Sequence, residues 1–370
     1  MGISSDQIKS CSSVLDVLGN KPDAVLSPQA HKAPQAHKAR KRTAIVLGAG
    51  GTVGIAFHAG VLKALVDAGL DPASADLVVG TSAGAIVGSI MRTGNDLDLV
   101  WAMAHEDQNP FAENQPFFRP EVVFSQGWRT PLGLARRVAG SAYVLHRTVI
   151  RWPAVRPPLS LQHFYRAGIG SVTEQRVEFA NWAGEDWPEE DLALCSFDIV
   201  TGQRVVLGSP SNPRPALPDA MRAASAVPLL YPPIRLGRRL LIDGAVKSST
   251  NVDVAVDAGA ELIIVAAPQS YDPDHKPPLH LRASKELFNR QLDRELCAAD
   301  KAGVRVLVLR PTLTETHEHG LNLLRSGNHG QAADLSREHC SQVLRTPEGR
   351  SFSRAWKASE TASAATQVAS

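Results

Sequence analysis

The sequence predicts an α/β fold built on a mostly parallel central sheet, and three observations carry that expectation. First, two apolar runs near the start each end in a glycine-rich turn that opens a helical pattern: Thr43–Leu47 before Gly48–Gly54, and Asp76–Val79 before Gly80–Gly84. Strand, tight turn and helix in succession indicate parallel strands joined by helical crossovers. Second, the far half holds two more compact apolar runs, Glu261–Ala266 and Val304–Leu309, which read as buried strands. Third, 44% hydrophobic and 21% charged residues over 370 positions suit a globular chain long enough to bury a full core.

Residues 1–42 read as a disordered basic tail. The segment Pro28–Ala33 is repeated as Pro34–Ala39, and the stretch closes on Lys38, Arg40, Lys41 and Arg42. So little apolar surface does not offset the entropy of ordering the chain. His31 and His37 in the repeat are read as part of this tail rather than as metal ligands. Order begins at Thr43. After the first glycine loop, Ile55, Val61, Leu62, Leu65 and Val66 mark one face of a helix that Gly69 ends. After the second, a helix of small residues runs over Ala85–Met91.

In the far half, Leu192–Val200 and Arg204–Leu207 flank Thr201-Gly202 as a hairpin. Pro218–Ala226 reads as a helix, Leu240–Ile242 as a strand leading into Asp243-Gly244, and Val252–Ala258 as a helix. One domain is expected over 43–350. The Ala- and Ser-rich residues 351–370 are expected to be a disordered C-terminal tail.

The stretch 122–173 differs in kind. It contains no Asp or Glu, and it holds seven arginines among Trp128, Tyr143, Ile150, Trp152 and several leucines and valines. Such a basic amphipathic insert suits transient contact with an anionic membrane surface. A cap subdomain with solvated arginines is the competing reading.

Charge and cysteine usage exclude several classes. A net charge of +2 with no known nucleic-acid module argues against nucleic-acid binding. Cys11, Cys195, Cys297 and Cys340 form no C-x-x-C pair, which argues against a disulfide framework or zinc site and fits a reducing, cytoplasmic setting. No run of 18 apolar residues occurs, so membrane contact is expected from the side. No cofactor is expected.

Three motifs carry chemistry. Gly80-x-Ser82-x-Gly84 between a strand and a helix is the context of a nucleophile elbow, which lifts a serine hydroxyl above the sheet edge. Gly48–Gly54 can present consecutive N–H groups to an anion. A dinucleotide loop would need glycine where Val53 stands, and an acid where the next strand ends in Val79-Gly80. An oxyanion hole is the better reading. The third motif, Asp243-Gly244-Ala245 after a strand, puts a carboxylate at a sheet edge.

These pieces, in this order, resemble the patatin-like phospholipase family. The stretches Asp219–Pro228 and Asn251–Ala255 resemble it too. The resemblance implies a three-layer α/β/α fold related to the α/β hydrolases. It also implies an acyl hydrolase acting on lipid esters through a dyad, Ser82 as nucleophile and Asp243 as base; a catalytically weak lipid-binding or regulatory protein of the same fold, or a transacylase, is the competing reading. Gly50, Gly51 and Ala83 would be the oxyanion donors. No histidine is needed, so His58 is read as a packing residue, and His317 and His319 as part of an exposed polar loop. The chain departs from the family at Val53, where a Lys or Arg is usual.

Overall fold

The computed structural model describes residues 41–94, 97–105, 142, 173–209, 211–212, 214–228, 230–319 and 328–369. In chain order these form β1 (Thr43–Leu47), α1 (Gly51–Asp67), β2 (Leu77–Gly80), α2 (Ala83–Arg92) and α3 (Leu97–Ala104). Next come α4 (Thr173–Ala183), β3 (Asp191–Asp198), β4 (Gln203–Leu207), α5 (Leu217–Ser225), β5 (Ile234–Leu236) and β6 (Arg239–Asp243). The rest are α6 (Val252–Asp257), β7 (Leu262–Ala266), α7 (Leu279–Lys301), β8 (Arg305–Leu309), α8 (Leu313–His319), α9 (His329–Leu344) and α10 (Pro347–Ala369).

The strands make one sheet in the order β5-β6-β3-β2-β1-β7-β8, with β4 added to β3. The run β3-β2-β1-β7-β8 is parallel, whereas β4, β6 and β5 are antiparallel additions. Successive side chains of a strand face opposite ways, and β1 shows the consequence. Ile45 and Leu47 join a core with α1, α2, α5 and α9. Ala44 and Val46 join a second core with Val252 and Ala255 of α6 and with Leu292 and Leu296 of α7. Helices therefore cover both faces, which is the three-layer arrangement.

Five expectations are corrected. Helix α1 starts at Gly51, so half of the glycine-rich run is the first helical turn and not loop. Residues 351–369 are helical within α10, because Phe352, Trp356 and Ser359 recur at helical spacing on one buried face. At the other end, Lys41 and Arg42 already belong to the ordered chain: the Arg42 carbonyl accepts from the Glu261 amide at 2.8 Å. The segment with His317 and His319 is helix α8 rather than a loop. It is held because buried Glu315 accepts from Ser336 Oγ at 2.6 Å and from the Thr312 amide at 2.7 Å. Cys195 and Cys340 are free and buried, but Cys297 is disulfide-bonded. Spacing along the chain does not bound separation in space, and the reading of unbridged cysteines fails at that residue. The tail over 1–40 and nearly all of the insert 122–173 lie outside the described residues.

Candidate active site

Strand register brings the motifs to one edge of the sheet. Leu47, the last residue of β1, pairs with Gly80 of β2 on one side and Ala266 of β7 on the other. Gly80 in turn pairs with Leu194 of β3, and two residues further along β3, Ser196 pairs with Asp243 of β6. The antiparallel strand β6 therefore delivers Asp243 just beyond the point where β2 turns, beside Ser82.

The turn at Ser82 explains its glycines. Ser82 has φ 55 and ψ −117, a conformation that a non-glycine residue adopts only at a cost of about 1–3 kcal/mol. The turn packs so tightly that a Cβ on Gly84 would run into the Leu47 carbonyl, and one on Gly80 would lie 2.6 Å from the Ala85 Cα. Flanking glycines thus let α2 lie on β1 while the serine carries the strain. The Ser82 amide donates to Ala224 O at 3.1 Å, and the Asp243 amide to Ala226 O at 3.0 Å. The end of α5 is a spacer that sets the distance between the two residues.

Asp243 is 2% exposed and Ser82 5%. Burial pushes the Asp243 carboxyl up to about 6, and hydrogen bonds from the Ala245 amide and the Ser82 hydroxyl hold it lower than burial alone would. The Ala245 bond is 2.8 Å long. Gly244 is required because a Cβ there would meet the Cys195 carbonyl. Among the described residues no histidine bonds the carboxylate.

The other loop presents its backbone. The Gly48 amide donates to Ala266 O at 2.9 Å and the Ala49 amide to Ser249 O at 2.7 Å. The amides of Gly50, Gly51 and Ala83 donate to none of the described residues. They sit at the first turns of α1 and α2, and the two helix starts touch: a Cβ on Gly54 would be 3.2 Å from the Ala83 Cβ. Unengaged amides at two converging helix N-termini favour an anion. Gly51 has φ 62. Val53 is buried.

His58 packs as expected and does more. Its Nε2 lies 2.7 Å from the Gly48 carbonyl, and complete burial pushes its pKa down to about 4, so the neutral ring donates that bond. Sequence reasoning did not find the roles of Ala224, Ala226 or Thr81. It noted Asn251 only as part of a similar stretch. Among the described residues there is no cluster of ligands fit for a metal ion and no helix long and apolar enough to cross a membrane.

The family model for patatin-like phospholipase matches residues 45–256. Among solved structures, VipD from Legionella pneumophila is similar at 11% identity, with 83% of this chain and 67% of that chain covered and a TM-score of 0.41. The type III effector protein ExoU is similar at 16% identity, with 84% of this chain and 54% of that one covered and a TM-score of 0.36. The chain thus spans about half the length of the ExoU structure.

Proposed function

The chain belongs to the patatin-like phospholipase family, and from that premise we propose that it is a serine acyl hydrolase cleaving fatty acyl esters of lipids. Ser82 is the nucleophile, Asp243 the general base, and Gly50, Gly51 and Ala83 the oxyanion donors. The observation that carries the reading is the buried Asp243 carboxylate brought by strand register beside the strained elbow of Ser82, next to three unengaged amides.

In the first half-reaction Ser82 Oγ attacks the ester carbonyl carbon and its proton passes to Asp243. The carbonyl oxygen becomes an oxyanion that accepts from the amides. Collapse breaks the bond to the leaving alcohol, which takes the proton from Asp243 and leaves an acyl-enzyme. Water then repeats the sequence: its proton goes to Asp243, its oxygen attacks the acyl carbon, and Ser82 leaves reprotonated as the fatty acid is freed. A base near 6 is mostly ionised at neutral pH yet still close enough in pKa to return the proton.

Hydrolysis of a soluble acyl ester by wild type, Ser82→Ala and Asp243→Asn tests the assignment. Loss of activity in both folded variants is expected, and wild-type rates in both would refute it. A fluorophosphonate probe separates the enzyme from a lipid-binding protein that merely keeps the fold, since only the enzyme is labelled at Ser82. The basic stretch 122–173 is proposed to dock on anionic lipid, each basic residue adding about 1 kcal/mol near the charged surface. Flotation with anionic but not neutral vesicles, fading with salt, is the expected result.

A further inference from the structure

We propose that the buried segment Ser248–Asn251 is a brace that holds the elbow, the oxyanion loop and the Asp243 turn in mutual register, with Asn251 as its positioning residue. The inference rests on the Ser82–Asp243 reading above. All four residues of the segment are buried. It touches each part of the site through a separate bond. Ser249 O accepts from the Ala49 amide of the oxyanion loop at 2.7 Å. Asn251 Nδ2 donates to Thr81 Oγ1, one residue before Ser82, at 3.0 Å. The amides of Lys247 and Ser248 donate to Gly244 O, directly after Asp243, at 2.9 and 3.2 Å.

Asn251 gives up ordinary stabilisation to do this. It is the N-cap of α6, where an asparagine side chain normally accepts from the helix amides. Here it makes no such cap. It also holds a left-handed backbone, φ 58 and ψ 42. The helix is capped from outside: Glu295 on α7 accepts from the Val252 amide at 2.9 Å and from Thr250 Oγ1 at 2.7 Å. That frees the Asn251 amide to face the elbow.

The direction of that amide is fixed by its neighbours. Arg204 Nη1, itself paired with Asp253 at 2.6 Å, donates to Asn251 Oδ1 at 3.1 Å. Nδ2 must then face Thr81 Oγ1 and, at 2.7 Å, Ser248 O. Only an amide supplies this acceptor and these two donors at once. A carboxylate would set acceptor against acceptor at the Ser248 carbonyl, and an aliphatic side chain would remove the bonds to Thr81 and to Arg204, which keeps only Asp253. Ser82 is therefore held directly, by its amide on the Ala224 carbonyl, and through Thr81 by Asn251.

Two variants read the brace from opposite sides. Thr81→Val keeps the shape and removes the acceptor. Asn251→Gly keeps the left-handed backbone and removes the amide. The measurements are kcat and KM on a soluble acyl ester, the rate of fluorophosphonate labelling at Ser82, and the melting temperature. A misplacement of a reacting group by a fraction of an ångström is expected to cost roughly ten- to a hundredfold in kcat and in labelling rate, with KM unchanged. The double variant should lose no more than the worse single one, and Thr81→Ser should restore most of what Thr81→Val loses. Thr81→Val carries the test even where Asn251→Gly melts early. Labelling of Thr81→Val at the wild-type rate, or two losses that simply multiply, overturns the brace and leaves the hydrolase reading standing. A wild type that is not labelled at Ser82 overturns both.

Discussion

The two glycine-rich turns at the sheet edge have the same connection and opposite contents. Each leads from a parallel strand into a helix, and the strands are neighbours in register. The Gly48–Gly54 turn offers backbone: glycine stands at its centre, and the amides of Gly50 and Gly51 are bare. The Gly80–Gly84 turn offers a side chain, so its centre must be a serine at φ 55, and the glycines move to the flanks where the packing is tight. Glycine marks where the backbone must be bare in one turn and where a neighbour must come close in the other.

The largest effect is expected at the elbow's partner. If Asp243 is the proposed base, Asp243→Asn should lower kcat about a thousandfold, since a general base contributes on the order of 10²–10⁴. It should also raise the melting temperature at neutral pH. The buried carboxyl has a folded pKa of about 6 against 3.8 for the free group, so holding it ionised costs on the order of 2–3 kcal/mol. The asparagine can keep the bond from the Ala245 amide without the charge. Thermal melts of the two proteins at pH 7 check this, and a lower melting temperature would contradict it.

Gly84→Ala comes next. Its Cβ cannot coexist with the Leu47 carbonyl, so α2 must move off β1 at a cost of about 3 kcal/mol. Gly94→Ala is the control: Gly94 has φ 75 but nothing within 4 Å, so it tests left-handed strain by itself, about 1 kcal/mol. Urea denaturation of both variants gives the difference. Equal costs would mean that close packing does not explain the flanking glycine.

The smallest effect sharpens the comparison through pH, because each turn rests on one buried ionisable group and the two oppose each other. Asp243 has a raised folded pKa, so between about 3.8 and 6 the folded state binds the extra proton and gains stability as pH falls. His58, behind the Gly48–Gly54 turn, has a lowered one, so between 6.5 and about 4 the unfolded chain binds the extra proton and stability is lost as pH falls. The two contributions largely cancel near pH 5. Asp243→Asn should therefore lose stability more steeply than wild type from pH 6.5 to 4, and His58→Phe less steeply. Melting curves across that window read both slopes, and unchanged slopes would show that neither group titrates as its burial implies. Activity of the wild type should decline below about pH 6 as Asp243 takes its proton.

Much of this was legible in the chain because its causes are local. A non-glycine residue cannot turn from strand to helix as Ser82 does without small neighbours, so the five-residue pattern announces the elbow. Alternation along Thr43–Leu47 and 3.6-residue spacing after it announce the strand and helix. The reach of α10 escaped, because Phe352 and Trp356 stand in an Ala- and Ser-rich stretch whose composition hides a single buried stripe. An Asp-Gly pair such as Asp243-Gly244 is commonly no more than a turn. Its motif company pointed to it, and its own neighbours in the chain did not.

The sequence by itself determined the β–turn–α units, the serine at the strained turn and the glycines around it, because backbone sterics act within a few residues. Only the tertiary structure decided that Asp243 lies beside Ser82, that Ala224 and Ala226 space them, and that Asn251 reaches Thr81 across 170 positions. Those contacts depend on β6 joining β3 antiparallel and on α7 capping α6, choices made by the packing of two cores against one sheet. Hydrogen bonds of that range leave no period or spacing in the chain, since nothing short-ranged links the residues that make them.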